Sequence, residues 1–340
     1  MEGITTQIDF GQGASLYTLT DKFGQTVQIT DLGATIVSIQ TRDKDGLLED
    51  VVLGYSCAQD YLTYHSSQGA TIGRYANRIR GASFVLNGVE YHVTPNEGQN
   101  HIHGGNTGLS KKMWKKEYYT EDTLVLSCFS PDGEEGYPGN LHIEVSFFFH
   151  KGCLEITYRA KCDQDTPLNI TNHSYFRLGT NPLQTQLQIH GSQIVEVDEQ
   201  LLPTGNLLNV QNTPFDFLTP KPIEKEIESQ HPQIALCHGY DNCFLLDGEP
   251  RAMKQAARAA CPATGRILEI STDMPGVQLY TANFLDGTEI GKQNFPLYRR
   301  SAFCLETQFL PDTPNITNFP SCILRKNELF CSKTTYWFHT

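Results

Sequence analysis

The chain has 340 residues, with 26 Lys and Arg against 38 Asp and Glu, a formal charge of −12. That balance argues against nucleic acid as a partner, because phosphate backbones are met by basic stripes and the sequence has none. Hydrophobic residues make up 39% and charged ones 19%, the composition of a globular chain with an ample core. No run approaches the ~20 apolar residues that would span a bilayer, so no membrane partner is expected.

The opening residues, Met1 to Gly13, carry neither a basic stretch nor an apolar one, so no secretory leader is expected. The 10 cysteines are scattered without a CxxC pair. That pattern reads as reduced thiols in a cytoplasmic setting rather than a disulfide framework or a zinc finger. The Asn-x-Ser/Thr triplets at Asn169, Asn172 and Asn315 are taken as chance matches. Gly11-Gln12-Gly13 begins a nucleotide-binding pattern, but Leu16 stands where its last glycine belongs, and no Walker lysine follows any glycine run.

From there the dominant period is two. Asp45-Gly46 separates Ile36–Thr41 from Asp50–Leu53, and Asn87-Gly88 divides Phe84–Tyr91 into two strand-like halves. Both are hairpin signals, because such turns need φ > 0 at their central residues. In Leu141–Phe149 every odd position is large and apolar, which builds one buried sheet face, and Leu154–Arg159 alternates likewise. Arg251–Ala260 resists, since its alanines and long side chains have high helix propensity. With turn residues recurring throughout, and no linker, repeat or low-complexity tract, the chain reads as all-β and as one domain over residues 1–340.

Several polar residues sit in distinctive runs. His101 and His103, at i and i+2, share a strand face and could chelate a metal, fill structural roles or touch a ligand. The following Gly104-Gly105 pair suggests a tight turn or close approach by a ligand. His173 lies among hydrogen-bonding side chains, where a satisfied core histidine is the ordinary reading. In Ala302–Phe309, alternation puts Phe303, Leu305, Thr307 and Phe309 on one face and Cys304, Glu306 and Gln308 on the other. Glu306 is an ordinary solvated carboxylate if that face is exposed, and a base if it lines a cleft. Arg78 and Asp241 alone read as ion-pair or turn residues. Together, histidines, an arginine, two carboxylates and aromatics on a β scaffold suit a polar, uncharged ring such as a sugar.

The chain resembles the aldose 1-epimerase (galactose mutarotase) family in ordered blocks over nearly its whole length. They are Leu32–Ala34; Gly73–Ile79; Asn100–Gly105 followed by Trp114; Gly136–Gly139; Asn172–Phe176; Leu202–Gly205; Gly239–Asp241; Pro275–Thr281; Glu306–Gln308; Pro314-Asn315; and Asn318–Pro320. The resemblance implies a single large antiparallel β-sandwich of the galactose mutarotase-like supersandwich type. It assigns the second half of Arg251–Ala260 to a hairpin strand, and implies no metal or organic cofactor. By matched motif, Glu306 is implied as general base and His173 as general acid. Asn77, Arg78, His103, Asp241 and Gln278 are implied as ligands of the sugar, with His101 behind them. The implied reaction interconverts α and β anomers of free hexoses such as D-galactose and D-glucose, in a monomer or homodimer.

A nearby carboxylate, Glu306 or Asp241, is expected to keep His173 protonated. Phe215 or Tyr280 is a candidate floor for the sugar, or simply core. Arg177 and Leu310 depart from the family pattern and put the cleft rim in question. Arg177 also leaves room for a hexose-6-phosphate 1-epimerase. A non-catalytic sugar binder has no need of the acid–base pair, and a glycoside hydrolase would require a second carboxylic acid where His173 stands.

Overall fold

The computed structural model describes residues 6–340; the first five residues, on which part of the no-leader reading rests, lie outside it. The elements are almost all strands. Among the described residues the only α-helices are Ala58–Thr63 and Pro232–Cys237, and no helix is long and apolar enough to cross a membrane.

Three sheets carry the architecture. An N-terminal antiparallel meander runs Thr6–Gly11, Ala14–Thr20, Thr26–Thr30, Thr35–Arg42 and Leu48–Asp50 in chain order. A nine-stranded antiparallel sheet has Leu329–His339 at its centre, between Cys153–Cys162 and Ile267–Thr272, so the last strand is hydrogen-bonded on both sides. A six-stranded antiparallel sheet is ordered Tyr175–Phe176, Phe303–Gln308, Gly276–Tyr280, Asp241–Leu245, Gln193–Val197, Pro203–Asn209.

Period-two alternation decides what each face meets. Along Leu141–His150 the odd residues Leu141, Ile143, Val145, Phe147 and Phe149 are all buried, as the sequence predicts. They join Leu154 and Ile156, and Phe303, Leu305, Val277 and Phe244 from the six-stranded sheet, in one core that also takes Leu19, Val27 and Ile29 from the meander. Each such side chain removed from water contributes about 1.5–3 kcal/mol. The sandwich interior also holds a short polar chain: Thr307 and Thr334 share a hydrogen bond of 2.6 Å between Oγ1 atoms, and Thr334 meets Thr272 Oγ1 at 3.0 Å.

Asn87 (φ 53°) and Gly88 (φ 77°) are both left-handed and join the strands Ser83–Leu86 and Val89–His92, as that turn chemistry requires. Asp45-Gly46 lies in the longer connection between Thr35–Arg42 and Leu48–Asp50. Lys254–Ala260 is a strand, paired with both Ile267–Thr272 and Gln186–Ile189. Ala256, Ala257 and Ala259 are fully buried there. Two ladders of hydrogen bonds and that burial outweigh a helix preference worth a few tenths of a kcal/mol per residue. All 10 cysteines are free.

Candidate active site

The candidate residues gather on the face of the six-stranded sheet that turns away from the main core. Register makes this possible. Tyr175 lies opposite Cys304, the other neighbour of Cys304 is Tyr280, and Tyr280 lies opposite Asp241. The adjacent row runs Glu306, Gln278, Cys243. Directly paired residues share a face, so Glu306, Gln278, Tyr280, Asp241 and Cys304 all point the same way. Their neighbours Phe303, Leu305 and Val277 point into the sandwich. The face is covered rather than solvated: all six residues of Phe303–Gln308 are buried, and Glu306 is 2% exposed.

His173 comes from the segment leading into the edge strand Tyr175–Phe176. Its Nε2 lies 3.6 Å from Glu306 Oε1, and its Nδ1 lies 3.6 Å from Cys304 Sγ. The ring stacks on Tyr175 at 5.0 Å with 16° between planes, and Tyr175 is anchored by its hydroxyl donating to the Ser66 carbonyl at 3.0 Å. Glu306 Oε2 is buried without a protein partner, as is Gln278 Oε1. Buried polar atoms are rarely left so, and here both belong to the same face. Gln278 Nε2 donates to Asp241 Oδ1 at 2.7 Å.

Asn77, Arg78 and His103 form the opposing group. Asn77 (φ 66°) and His103 (φ 53°) both adopt left-handed backbone, a region that asparagine and histidine enter more readily than most side chains. The two are locked together: His103 N–H donates to the Asn77 carbonyl at 3.2 Å, and Asn77 N–H donates to His103 Nδ1 at 3.2 Å. With Nδ1 accepting, the His103 proton sits on Nε2, and burial holds the ring neutral by pushing its pKa well below the usual range. His103 therefore presents an N–H donor. Its ring lies 5.4 Å from that of His173.

Arg78 is gripped by Glu97 in a two-pronged ion pair, Nε to Oε2 at 2.6 Å and Nη2 to Oε1 at 2.8 Å. Burial works against the guanidinium charge, but Glu97 and Asp241 more than offset it. Nothing in the sequence patterns singles out Glu97. Its removal has a distinct expected signature: Glu97→Gln leaves a buried arginine without its counter-charge and free to reorient. We expect KM for the sugar to rise about tenfold, some 1.4 kcal/mol, with a smaller change in kcat. Steady-state kinetics check this, and an unchanged KM would mean Arg78 needs no such support.

Burial is the leading influence on the protonation of the central pair. The His173 imidazole is pushed down to about 4 by desolvation. The Glu306 carboxyl is pushed well up by desolvation and by the Asp241 charge. Asp241 is itself raised by burial, with Arg78 and Gln278 opposing. The expectation that a neighbouring carboxylate keeps His173 protonated is therefore corrected. Desolvation acts against charge on both groups of the pair. One proton is shared between His173 and Glu306, and burial favours it on Glu306.

Other expectations resolve by position. His101 is a fully satisfied buried histidine, with Nδ1 at 2.7 Å from the Thr94 carbonyl and Nε2 at 2.6 Å from Tyr137 Oη. The glycine pair answers to close packing of the chain on itself: a Cβ on Gly104 would fall 1.9 Å from the Gly73 carbonyl, and one on Gly105 2.1 Å from Glu135 Oε2. Phe215 is not a floor for the site; it is buried in the core beside Tyr240 and Phe244. Tyr280 does belong to the face, its ring 6.4 Å from His173 and stacked on the exposed Phe284. Arg177 lies over the Phe295 ring at 4.8 Å. It lines a cavity of about 160 Å³ with Asp50, Lys292 and Phe295, apart from His173, Glu306 and the proposed sugar ligands. Leu310 is buried against Val195, Cys243 and Phe319.

Comparison with known proteins converges on one family. The family model described as "Aldose 1-epimerase" matches residues 15–337. The chain is 41% identical over 317 residues to galactose mutarotase of Mus musculus, covering 92% of this chain and 90% of that one. It is 34% identical over 334 residues to aldose 1-epimerase of Escherichia coli, covering 96% of each. Among solved structures, galactose 1-epimerase from Lactobacillus acidophilus superposes with a TM-score of 0.88 at 27% identity, over 99% of this chain and 98% of that one. The GalM/aldose epimerase homologue from C. elegans also gives 0.88, at 28% identity over 99% of both chains.

Proposed function

The chain belongs to the aldose 1-epimerase family, and from that premise we propose that it interconverts the α and β anomers of free hexoses, D-galactose and D-glucose among them. The observation that carries the reading is the 3.6 Å approach of His173 Nε2 to Glu306 Oε1 on a buried polar face. Ring opening must remove a proton from the anomeric hydroxyl while another reaches the ring oxygen, and this pair can do both.

In the proposed cycle Glu306 accepts the O1 proton and His173 gives one to the ring oxygen. The C1–ring-oxygen bond breaks, the aldehyde turns about C1–C2, and the two transfers reverse on the other face. The proton count closes. The cyclic sugar meets charged His173 and ionised Glu306; the open aldehyde meets neutral His173 and protonated Glu306. Burial disfavours the first arrangement, in which both groups are charged. A bound sugar supplies what the first arrangement needs, an O1–H donating to the carboxylate and a ring oxygen accepting from the imidazolium. Each positioned acid or base contributes roughly 10²–10⁴ in rate. Asn77, Arg78, the Nε2–H of His103, Asp241 and Gln278 would hold the hydroxyls, and Tyr280 would meet the ring's C–H surface.

The pH dependence follows from the direction of each shift. Activity requires one proton on the pair. A second proton binds His173 only as pH falls through about 4, which leaves no base. Loss of the single proton at high pH leaves no acid. We expect kcat/KM to hold on acidification well below the ~6.5 of an ordinary histidine. A profile of kcat/KM against pH checks this, and an acidic limb centred near 6.5 would show that His173 titrates as a solvated imidazole.

Anomer exchange followed by NMR on D-galactose, D-glucose and D-glucose 6-phosphate tests the substrate class. We expect exchange of both free sugars and little of the phosphate ester, because Arg177 is engaged with Phe295 outside the gathered residues. Preference for the ester would replace this reading with the phosphosugar epimerase. A single domain, to which three sheets contribute one shared core, and a cytoplasmic setting, to which ten free cysteines are suited, complete the proposal.

A further inference from the structure

The proposed acid–base pair has a third neighbour that the reaction does not use. Cys304 Sγ lies 3.6 Å from one ring nitrogen of His173, and Glu306 Oε1 lies 3.6 Å from the other. One ligand atom from each of the three residues falls within 4.8 Å of the other two. The cluster is built by the backbone: Cys304 and Glu306 are two apart on one strand and share its cleft face, while Tyr175, two residues after His173, pairs with Cys304. All three side chains are buried, and Glu306 Oε2, on the carboxylate that belongs to the cluster, has no hydrogen-bond partner.

A tetrahedral ion with bonds of about 2.0–2.3 Å to nitrogen, oxygen and sulfur sets its ligand atoms roughly 3.3–3.8 Å apart. The two 3.6 Å approaches are made to opposite ring nitrogens, so an ion held by one nitrogen would draw in the remaining ligand atom from within 4.8 Å. The donor set also selects the ion. A thiolate, an imidazole and one carboxylate suit zinc-like cations, whereas magnesium and calcium want oxygen donors throughout.

We propose that His173, Cys304 and Glu306 form an inhibitory site for a thiophilic divalent cation. Zn²⁺ is the probe of choice. The site would be exclusive with sugar, because the ion takes the same nitrogen and carboxylate that the proposed reaction uses; in that respect the inference rests on the functional reading above. Binding is simple ligand exchange. The ion gains bonds to one His173 nitrogen, to the Glu306 carboxylate and to the Cys304 sulfur. The thiol proton and the proton shared by the pair leave to solvent, a water fills the fourth position, and nothing is oxidised or reduced.

Two readouts test the site. Co²⁺ added to the purified protein should give one equivalent of a thiolate-to-cobalt absorption band. That band should vanish in Cys304→Ser and in Cys304→Ala and persist in Cys331→Ala, which removes the exposed thiol. Zn²⁺ should inhibit anomer exchange, with reversal by EDTA and relief by rising galactose. Loss of a metal ligand should cost at least the roughly 10–100-fold in affinity that loss of an outer partner does. The Zn²⁺ concentration for half inhibition, relative to each variant's own metal-free rate, should rise accordingly in both Cys304 variants. A band and a half-inhibition point unchanged by both Cys304 substitutions, or abolished by Cys331→Ala, would overturn the site and put the ion on surface thiols. The cobalt band separates the two readings: a Cys304-dependent band without any mutarotation overturns the function and leaves the site, whereas mutarotation with no such band overturns the site and leaves the function.

Discussion

Glu306→Gln should lower kcat by roughly 10²–10⁴ while leaving the fold and its thermal transition in place. The substitution keeps the shape of a side chain that is 2% exposed. It removes the only atom pair at that position able to take the O1 proton. Thermal stability is not expected to suffer, because the buried carboxyl already favours its neutral form and an amide is neutral as well. His173→Asn should give a loss of the same order through the other transfer. The double variant should be little worse than either alone, since each group is useless without its partner. Steady-state rates with circular dichroism of each variant check the set. Near-wild-type kcat in either single variant would remove that residue from the proposed cycle.

Arg74→Met should have the largest effect on stability. Arg74 is 2% exposed and sits four residues before Arg78 in the same block, yet its work is different. Its guanidinium donates to the carbonyls of Ser130 at 2.6 Å, Pro131 at 2.9 Å, Pro138 at 3.0 Å and Gly139 at 2.8 Å, and to Ser130 Oγ at 2.8 Å. It therefore ties the Gly73–Ile79 block to the loop that follows the strand Thr123–Ser130. Methionine fills much of the volume but leaves those acceptors unpaired in a buried place. At 1–3 kcal/mol for each acceptor that cannot find water, and with partial relaxation, the loss is on the order of 3–5 kcal/mol. For a protein of this size that is a fall in Tm of roughly 4–7 °C. Calorimetry would show it, and a shift of a degree or two would mean the loop rearranges to satisfy itself.

The pair of arginines illustrates what the sequence carries and what it withholds. Period-two alternation and turn chemistry made the sheets legible: the odd residues of Leu141–Phe149 and the Asn87-Gly88 turn behave as written. Lys254–Ala260 was opaque, because its helix preference is a local property and the two flanking ladders that overrule it are not. Alternation placed Glu306 opposite the apolar stripe, but whether that face met water depended on Tyr175, Gln278 and Asp241, which arrive from three other strands. The family blocks brought the site residues into one list without their protonation. Desolvation is a property of the assembled interior, and it works against the positive charge that a carboxylate neighbour would have favoured on His173. Glu97 acts through a 2.6 Å contact with Arg78 to which no spacing rule points, and alternation put Cys304 on the face of Glu306 without showing its 3.6 Å approach to His173.

The central claim is that one buried Glu–His pair opens and recloses a free aldose ring. The measurement that bears on it most directly is polarimetry of freshly dissolved α-D-galactose with wild type and Glu306→Gln at equal concentration. Rapid decay of optical rotation is expected with wild type, and decay close to the buffer rate with the variant. Equal acceleration by both proteins, or none by wild type, would contradict it.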